Sequence, residues 1–329
     1  MKISTIIPTL NRVDCLKNAL ESIIDQRYKP FEVIIVDQSD NSIVREFFNS
    51  KKQEFILNNI KLIYAKQSIK SLAMARNFGV WIAKGDWISF LDDDVILDKN
   101  YYFEMKTYII ENSDKVILHG LIENIKLNNS PFGKIEGFIK KIFRLENNMN
   151  CYGFLYPSFF GNLPTEFSEP INCMWASGCN MFVKYSVAKS FKFDEKLTSY
   201  SFAEDKDFSY RVYKKYTNGL IALPGAKLQH LETPAARIQS IKLYYMRVVY
   251  IYYLFLKNID INYYNVLIFT LSRIGLMLIY LVPRIRIKRK PHFEFKLINH
   301  LCAEFFALKH LKSLKKYNLE FFNEWYKAN

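Results

Sequence analysis

Cysteine is scarce in this chain. Cys15, Cys151, Cys173, Cys179 and Cys302 are the five in 329 residues, scattered and odd in number, with no C-x-x-C pair. That pattern excludes a disulfide framework and a zinc site of paired cysteines, and it points to a reducing compartment. Glycine is missing from Pro8-Thr9-Leu10-Asn11-Arg12, the turn after the first apolar run, so no Gly-rich phosphate loop opens the chain. No internal repeat is present. The opening Met1 to Pro8 is too short, and too soon broken by Pro8, to read as a signal peptide; it reads as a strand, and the catalytic part is expected in the cytosol. Acidic residues are the minority, 32 Asp and Glu against 46 Lys and Arg, for a net charge of +14. The shortage is concentrated in residues 241–329, which carry 15 Lys and Arg against 5 Asp and Glu. A local basic excess calls for an anionic partner, either nucleic acid or an anionic membrane face.

What is present is ample core material. Half the residues are hydrophobic and 16% are aromatic, which excludes general disorder; the length allows one large domain, or one domain and an appendage. Ile3 to Ile7, Phe31 to Val36, Ile60 to Tyr64 and Trp87 to Leu91 are short apolar runs expected to be strands. Between them, Leu16, Ala19, Leu20 and Ile23 recur at helical spacing, with Asp14 as N-cap, and Leu72 to Ala83 reads as a second helix. Continuous apolar strands separated by helices imply an α/β fold with a Rossmann-like, mostly parallel sheet and flanking helices. Ligands in such sheets bind beyond the carboxyl ends of the strands. The polar clusters fall there: Thr9 to Arg12, Asp37 to Asp40, and Asp92-Asp93-Asp94.

Three successive carboxylates repel one another, and a divalent cation with a taste for hard oxygen ligands would hold them together. The plain alternative is a solvated acidic turn that caps the next helix. Arg76 in Ala75-Arg76-Asn77 suits bidentate contact with phosphate, or is an ordinary helix-surface Arg. Glu204-Asp205 opens a helix expected over Phe202 to Tyr213; the pair either matches the helix dipole or supplies the carboxylate that takes a proton from a hydroxyl nucleophile. His230 is a candidate metal ligand, although a lone His is more often structural.

Elsewhere, Asn128 to Pro170 shows no clean period and reads as an irregular insertion. Met174 to Val183 is a second apolar block and Leu220 to Leu223 a short strand. Ile241 to Leu256 is a Tyr-rich helix whose rings are most simply packing. Asn262 to Val282 is long enough to span a bilayer, but Arg273 at its middle would cost roughly 2.5–3.5 kcal/mol there. The expectation is a helix lying in the membrane interface, with Arg284, Arg286, Lys288, Arg289 and Lys290 against anionic headgroups rather than nucleic acid.

The ordered motifs resemble family 2 glycosyltransferases of the GT-A fold, the inverting enzymes that build bacterial surface polysaccharides. The likeness runs through Ser4-Thr5-Ile6-Ile7-Pro8-Thr9-Leu10-Asn11-Arg12, Ile34-Ile35-Val36-Asp37-Gln38-Ser39, Ala75-Arg76-Asn77-Phe78-Gly79, Lys84-Gly85-Asp86-Trp87-Ile88-Ser89-Phe90-Leu91-Asp92-Asp93-Asp94 and Ala203-Glu204-Asp205-Lys206-Asp207-Phe208. It covers roughly residues 1–235.

The resemblance implies a GT-A catalytic domain over 1–235, with a nucleotide-sugar half to about residue 100 and an acceptor half over 101–235. A helical, basic, membrane-associated region would follow over 236–329. Pro8, Asp37 and Arg76 would line the nucleotide pocket, with Asp92 near the ribose and Asp93 beside it. Asp94, joined by Asp92 and His230, would hold Mg²⁺ or Mn²⁺ on the diphosphate. Asp205 would be the general base, Glu204 would contact the acceptor, and Ser177 and Gly178 in Trp175-Ala176-Ser177-Gly178-Cys179-Asn180 would border the donor sugar. The implied partners are a nucleotide-sugar donor, a glycan or lipid-linked acceptor and an anionic membrane surface, with no nucleic acid, on the cytoplasmic side of the cell membrane as a peripheral or monotopic protein. Gln38 stands where many relatives have a second Asp. No Q-x-x-R-W follows Asp205, so a processive synthase like cellulose or hyaluronan synthase is not expected. Two competing readings remain: a sugar-phosphate nucleotidyltransferase, which should show a Gly-rich phosphate loop, and a non-enzymatic basic membrane-binding protein, which should not depend on Asp94 or Asp205.

Overall fold

The structure is a computed structural model that describes residues 1–124, 131–146, 153–231, 241–281 and 293–328. The elements run β1 (Ile3–Thr9), α1 (Val13–Ile24), β2 (Glu32–Asp37), α2 (Ile43–Leu57), β3 (Lys61–Lys66), α3 (Leu72–Ile82), β4 (Trp87–Leu91), β5 (Val95–Leu97), α4 (Tyr101–Glu111) and β6 (Ile117–Ile122). Next come α5 (Pro131–Ile142), β7 (Phe154–Leu155), β8 (Gly161–Asn162), β9 (Ile171–Asn172), β10 (Asn180–Lys184), α6 (Tyr185–Phe191), α7 (Glu204–Lys215) and β11 (Leu220–His230). The last are α8 (Ile241–Asn258), α9 (Tyr263–Leu281), α10 (Phe293–Lys309), α11 (Leu311–Lys315) and α12 (Glu320–Ala328).

Two compact units emerge. The first comprises residues 1–125 and 163–237, the second 126–162 and 238–329. The sequence reading placed 126–162 inside an unbroken 1–235; this segment instead groups with the helical region.

The first unit is built on one sheet, ordered β3-β2-β1-β4-β10-β6-β11-β5, with β9 beside β11. β3, β2, β1 and β4 are mutually parallel, as their unbroken apolar runs require. β10 runs antiparallel between β4 and β6, and β5 and β9 run antiparallel to β11, so the sheet is mixed beyond β4. Every residue of β1, β2 and β4 is buried. Side chains alternate across the pleat: Val33 and Ile35 join Leu16, Leu20 and Ile23 of α1 on one face. Ile34 and Val36 join Ala73, Ala75 and Val80 of α3 on the other.

This topology makes one rim. The register pairs Thr9 with Asp37 and Asn180 with Leu91, so the carboxyl ends of β1, β2 and β4 meet the amino end of β10. β11, parallel to β6, brings its last residue, His230, to the same edge. The expected short strand Leu220 to Leu223 continues to His230 because Pro224-Gly225, which reads as a terminator, is absorbed as a register shift between Leu223 and Lys227. α1 also departs from expectation: Arg12 is its N-cap residue and Asp14 lies in the first turn, where a carboxylate still suits the helix dipole.

The second unit is helical. The segment read as irregular holds α5 and the β7–β8 hairpin; Ile135, Phe138, Ile139 and Ile142 sit at helical spacing after Pro131, a residue that tolerates only the first helical turn. The tyrosines of α8 are packing, as expected: Tyr250, Tyr252 and Tyr253 are buried, with Tyr250 edge-on to Phe322 and Tyr252 edge-on to Phe269. α9 is the one helix among the described residues long and apolar enough to cross a membrane. Its Arg273 faces the protein interior. It is buried and donates through Nε and Nη2 to Glu304 at 2.8 and 2.5 Å, so the insertion cost argued from sequence is met by a partner in α10. The basic run Arg284 to Lys290 lies outside the described residues.

Candidate active site

The acidic triplet sits immediately after β4, against the loop after β1. Thr9 Oγ1 donates to Asp93 Oδ2 at 2.7 Å. Arg12 reaches back from the start of α1, with Nη1 3.0 Å from Asp93 and Nη2 2.5 Å from Asp94. His230 Nε2 lies 3.1 Å from Asp94 Oδ1 and 4.0 Å from Asp92 Oδ2. Asp92, the least buried of the three, meets Arg76 Nη2 at 3.0 Å. Arg12, at the end of the Ser4–Arg12 segment, is the site residue to which the sequence alone assigns no role.

Arg76 is 1% exposed. Its other guanidinium nitrogen pairs with Glu204 at the start of α7, so one buried cation joins the β4 end to the α7 end. Glu204 is 5% exposed and faces Arg76. Asp205, beside it and half-buried, accepts from the backbone N–H of Gly178 at 3.0 Å and of Lys206 at 2.8 Å. Gly178 has a steric reason to be glycine: a Cβ there would lie 2.4 Å from Arg76 Nη1. Ser177 Oγ is 3.3 Å from Cys179 Sγ. The turn before α7 takes positive φ at Ser199, Ser201 and Ala203 (58°, 51° and 65°), a costly winding for non-glycine residues that delivers Glu204 and Asp205 to the rim.

The β2 end is separate. Asp37 is fully buried; it accepts from the Ser39 N–H at 2.8 Å, from the Tyr64 hydroxyl at 2.7 Å and from Lys66 Nζ at 3.1 Å. Pro8 is buried in β1, opposite Val36.

The electrostatics are uneven. Burial works against ionised Asp94, but hydrogen bonds and charge from His230 and Arg12 outweigh it and hold the carboxyl below the usual range. Asp93 is pushed up to about 7, chiefly by burial, with Asp94 and Asp92 adding and Arg12 and Thr9 opposing. Burial also raises Glu204 to about 8, Arg76 opposing and Asp205 and Asp92 adding. Asp37 is held down against burial by Ser39, Tyr64 and Lys66. Among the described residues, Asp92, Asp93, Asp94 and Glu204 thus share the guanidinium groups of Arg12 and Arg76, with Asp205 beside Glu204.

This surplus tests whether a divalent cation fits. Asp92 Oδ2, Asp94 Oδ1 and His230 Nε2 are oxygen and imidazole donors on one side of the triplet, a set that suits Mn²⁺ or Mg²⁺. Cys179 also lies with Asp92 and His230, their ligand atoms within 4.8 Å of one another, but burial raises its thiol pKa and a protonated thiol is a poor ligand for a hard cation. The carboxylates and His230 fit; Cys179 does not.

Comparison with known proteins follows the same outline. A hyaluronan synthase of Pasteurella multocida is 27% identical over 259 residues, covering 70% of this chain and 25% of that protein. A chondroitin synthase of Escherichia coli is 26% identical, covering 70% of this chain and 35% of that protein. The chain therefore spans about a quarter to a third of the length of these relatives. A protein named hyaluronan synthase is among them even though the Q-x-x-R-W segment is missing here. Among solved structures, S. aureus TarS 1–349 superposes with a TM-score of 0.53 at 18% identity, covering 93% of this chain and 81% of that one. GalNAc-T7 with UDP, GalNAc and Mn²⁺ gives 0.54 at 17%, covering 78% and 50%. At these identities the structural likeness speaks for the GT-A fold. The profile described as glycosyl transferase family 2 matches residues 4–189, more than half of the sequence, and the chain belongs to that family.

Proposed function

We propose that the chain is an inverting glycosyltransferase that moves a sugar from a nucleoside-diphosphate sugar to a hydroxyl of a glycan or lipid-linked acceptor in cell-surface polysaccharide synthesis. The observation that carries this reading is a two-part centre. One half is the carboxylate surplus after β4, and the other is Asp205 at the start of α7, with Arg76 buried between them.

In this mechanism Asp205 accepts the proton of the acceptor hydroxyl as its oxygen bonds to the anomeric carbon, general-base work that contributes typically 10²–10⁴-fold. The bond from that carbon to the diphosphate oxygen breaks on the opposite face, and its electron pair leaves with the nucleoside diphosphate, so the configuration inverts. Asp92, Asp94 and His230 would hold Mg²⁺ or Mn²⁺, which when bound supplies Lewis-acid stabilisation of the departing diphosphate. Asp37 and Pro8 border the base side of the donor pocket. Arg76 fixes Glu204 and Asp92. Ser177 and Gly178 flank the sugar, and the Gly178 N–H orients the Asp205 carboxylate. A UDP-sugar is the donor class to test first, since TarS has been solved with UDP-GlcNAc. The helical unit, with its basic sequence, is proposed to hold the enzyme at the cytoplasmic face of an anionic membrane, peripherally or monotopically.

The test is transfer from UDP-sugars with Mn²⁺, comparing the native chain with Asp94→Asn and Asp205→Asn. Near-complete loss in both, with folding kept, supports the reading; transfer surviving in both overturns it. Flotation of the full chain with anionic but not neutral vesicles supports the membrane assignment, and equal behaviour in both removes it.

A further inference from the structure

α3 has two working faces. Ala73 packs into the sheet and Arg76 reaches the active site. Met74, Phe78 and Trp81 follow at i, i+4 and i+7, and so share one stripe on the opposite side. That stripe lines a cavity of about 710 Å³ together with Tyr185 and Lys189 of α6, its C-cap residue Lys192, and Lys66. The volume falls in the ordinary range of ligand pockets.

Trp81 is 78% exposed, and its ring stacks on Phe78, with centroids 5.9 Å apart and 14° between planes. A large exposed aromatic on a built platform marks a binding surface more than a core. The walls differ in character: apolar rings on α3, cations on α6. Lys189 and Lys192 are exposed, and Lys189 lies 6.0 Å over the Tyr185 ring. Glu195, the acidic residue of this rim, accepts from Asn77 Nδ2 at 2.9 Å. Lys66 also ties this cleft to the β2 end, its Nζ lying 3.1 Å from Asp37.

We infer that this cleft between α3 and α6 binds an acidic oligosaccharide, the segment of a growing glycan that lies beside the active site. Pyranose rings present flat C–H faces that stack on Trp81 and Phe78, while lysines at the rim receive carboxylates. A concave slot with stacking on one wall and charge on the other fits a chain of acidic sugars better than a flat protein or bilayer surface. The identity of the occupant rests on the glycosyltransferase reading, but the binding itself needs no turnover.

The experiment uses the full chain, with a hyaluronan octasaccharide as the acidic probe and maltooctaose as the neutral one, followed by calorimetry. UDP-induced thermal stabilisation is measured in parallel. The expected result is binding of the acidic probe that weakens at least tenfold in Trp81→Ala and in Lys189→Glu/Lys192→Glu, with the UDP shift retained in both. No binding of the acidic probe, equal binding of maltooctaose, or affinity unchanged in both variants overturns the inference. Failure of transfer in Asp205→Asn bears only on the catalytic reading, so the two can fail separately.

Discussion

Two of the buried charge clusters among the described residues are built in opposite ways. In the helical unit Arg273, His300 and Tyr252 all converge on one carboxylate: Arg273 Nη2 lies 2.5 Å, His300 Nε2 3.2 Å and the Tyr252 hydroxyl 3.0 Å from Glu304 oxygens. Donors exceed acceptors and the acid is satisfied. At the rim of the sheet, among the described residues, Asp92, Asp93, Asp94 and Glu204 pair with Arg12 and Arg76 while Asp205 lies beside Glu204, and two of these acids have raised pKa values. A cluster that is complete by itself has a structural use. A rim with more carboxylates than permanent cations among the described residues supports the proposed site, since perturbed carboxylates are candidates for function.

The largest expected effect separates the two at the level of rate. Asp205→Asn should lower kcat by about 10²–10⁴-fold, measured in single-turnover transfer, with the melting temperature within a few degrees of the native chain. Glu304→Gln should leave the rate per folded molecule unchanged. If Glu304→Gln lost as much turnover as Asp205→Asn, the division into chemical and structural clusters would fail.

Stability should divide them the other way. Glu304→Ala leaves Arg273 buried without its acid, a change that costs about 3–5 kcal/mol for a buried pair. Denaturant unfolding of the full chain would show it as an earlier transition. Should Glu304→Ala unfold like the native chain, Arg273 has another partner and the α9–α10 pair is not the structural tie described.

Gly178→Ala sits between these extremes. Its Cβ would press on the Arg76 guanidinium, and overpacking of a buried site costs about 1–3 kcal/mol. Because Arg76 touches both Asp92 and Glu204, the displacement should reach catalysis, with kcat falling while UDP-induced stabilisation changes less. Unchanged kcat would show that Arg76 can shift without disturbing the acids it joins.

The rim was legible in sequence because it is made from strand ends. β1, β2 and β4 are unbroken apolar runs, each closed by a polar group, and the parallel rule alone brings those ends together. Even the Glu204-Asp205 pair announces itself as acids at a helix start. What could not be read were relations across long separations. Arg12 pairs with Asp93 and Asp94 more than eighty residues away, and Glu204 meets Arg76 rather than open solvent. β11 looked finished at Pro224-Gly225, and its continuation is what carries His230 to Asp94. In α2 the charged residues Arg45, Glu46, Lys51, Lys52 and Glu54 dilute the apolar period. The partner of Arg273, Glu304, lies 31 residues on and could not be read from the sequence either.

The smallest expected effect is also the most diagnostic of the comparison, because the sign reverses. Glu304 has a folded pKa below its unfolded value, since the hydrogen bond from His300 and the charge of Arg273 outweigh burial. Its contribution to stability is therefore complete above the unfolded pKa near ~4.3 and is lost as pH falls below it. Asp93 is the opposite case, with a folded pKa raised to about 7. The folded chain holds a proton there that the unfolded chain has already released, so between roughly pH 4 and 7 this residue makes the fold weaker as pH rises. In metal-free buffer, Asp93→Asn should remove that downward slope and leave the protein more stable at pH 8 by on the order of 1 kcal/mol. Glu304→Gln should instead flatten the loss below pH 5. Melting temperatures of the native chain and the two variants across pH 4–8 would decide it: slopes of the same sign in both variants would mean that the rim is as well balanced as the helical cluster, and that its surplus of acid is already neutralised within the protein.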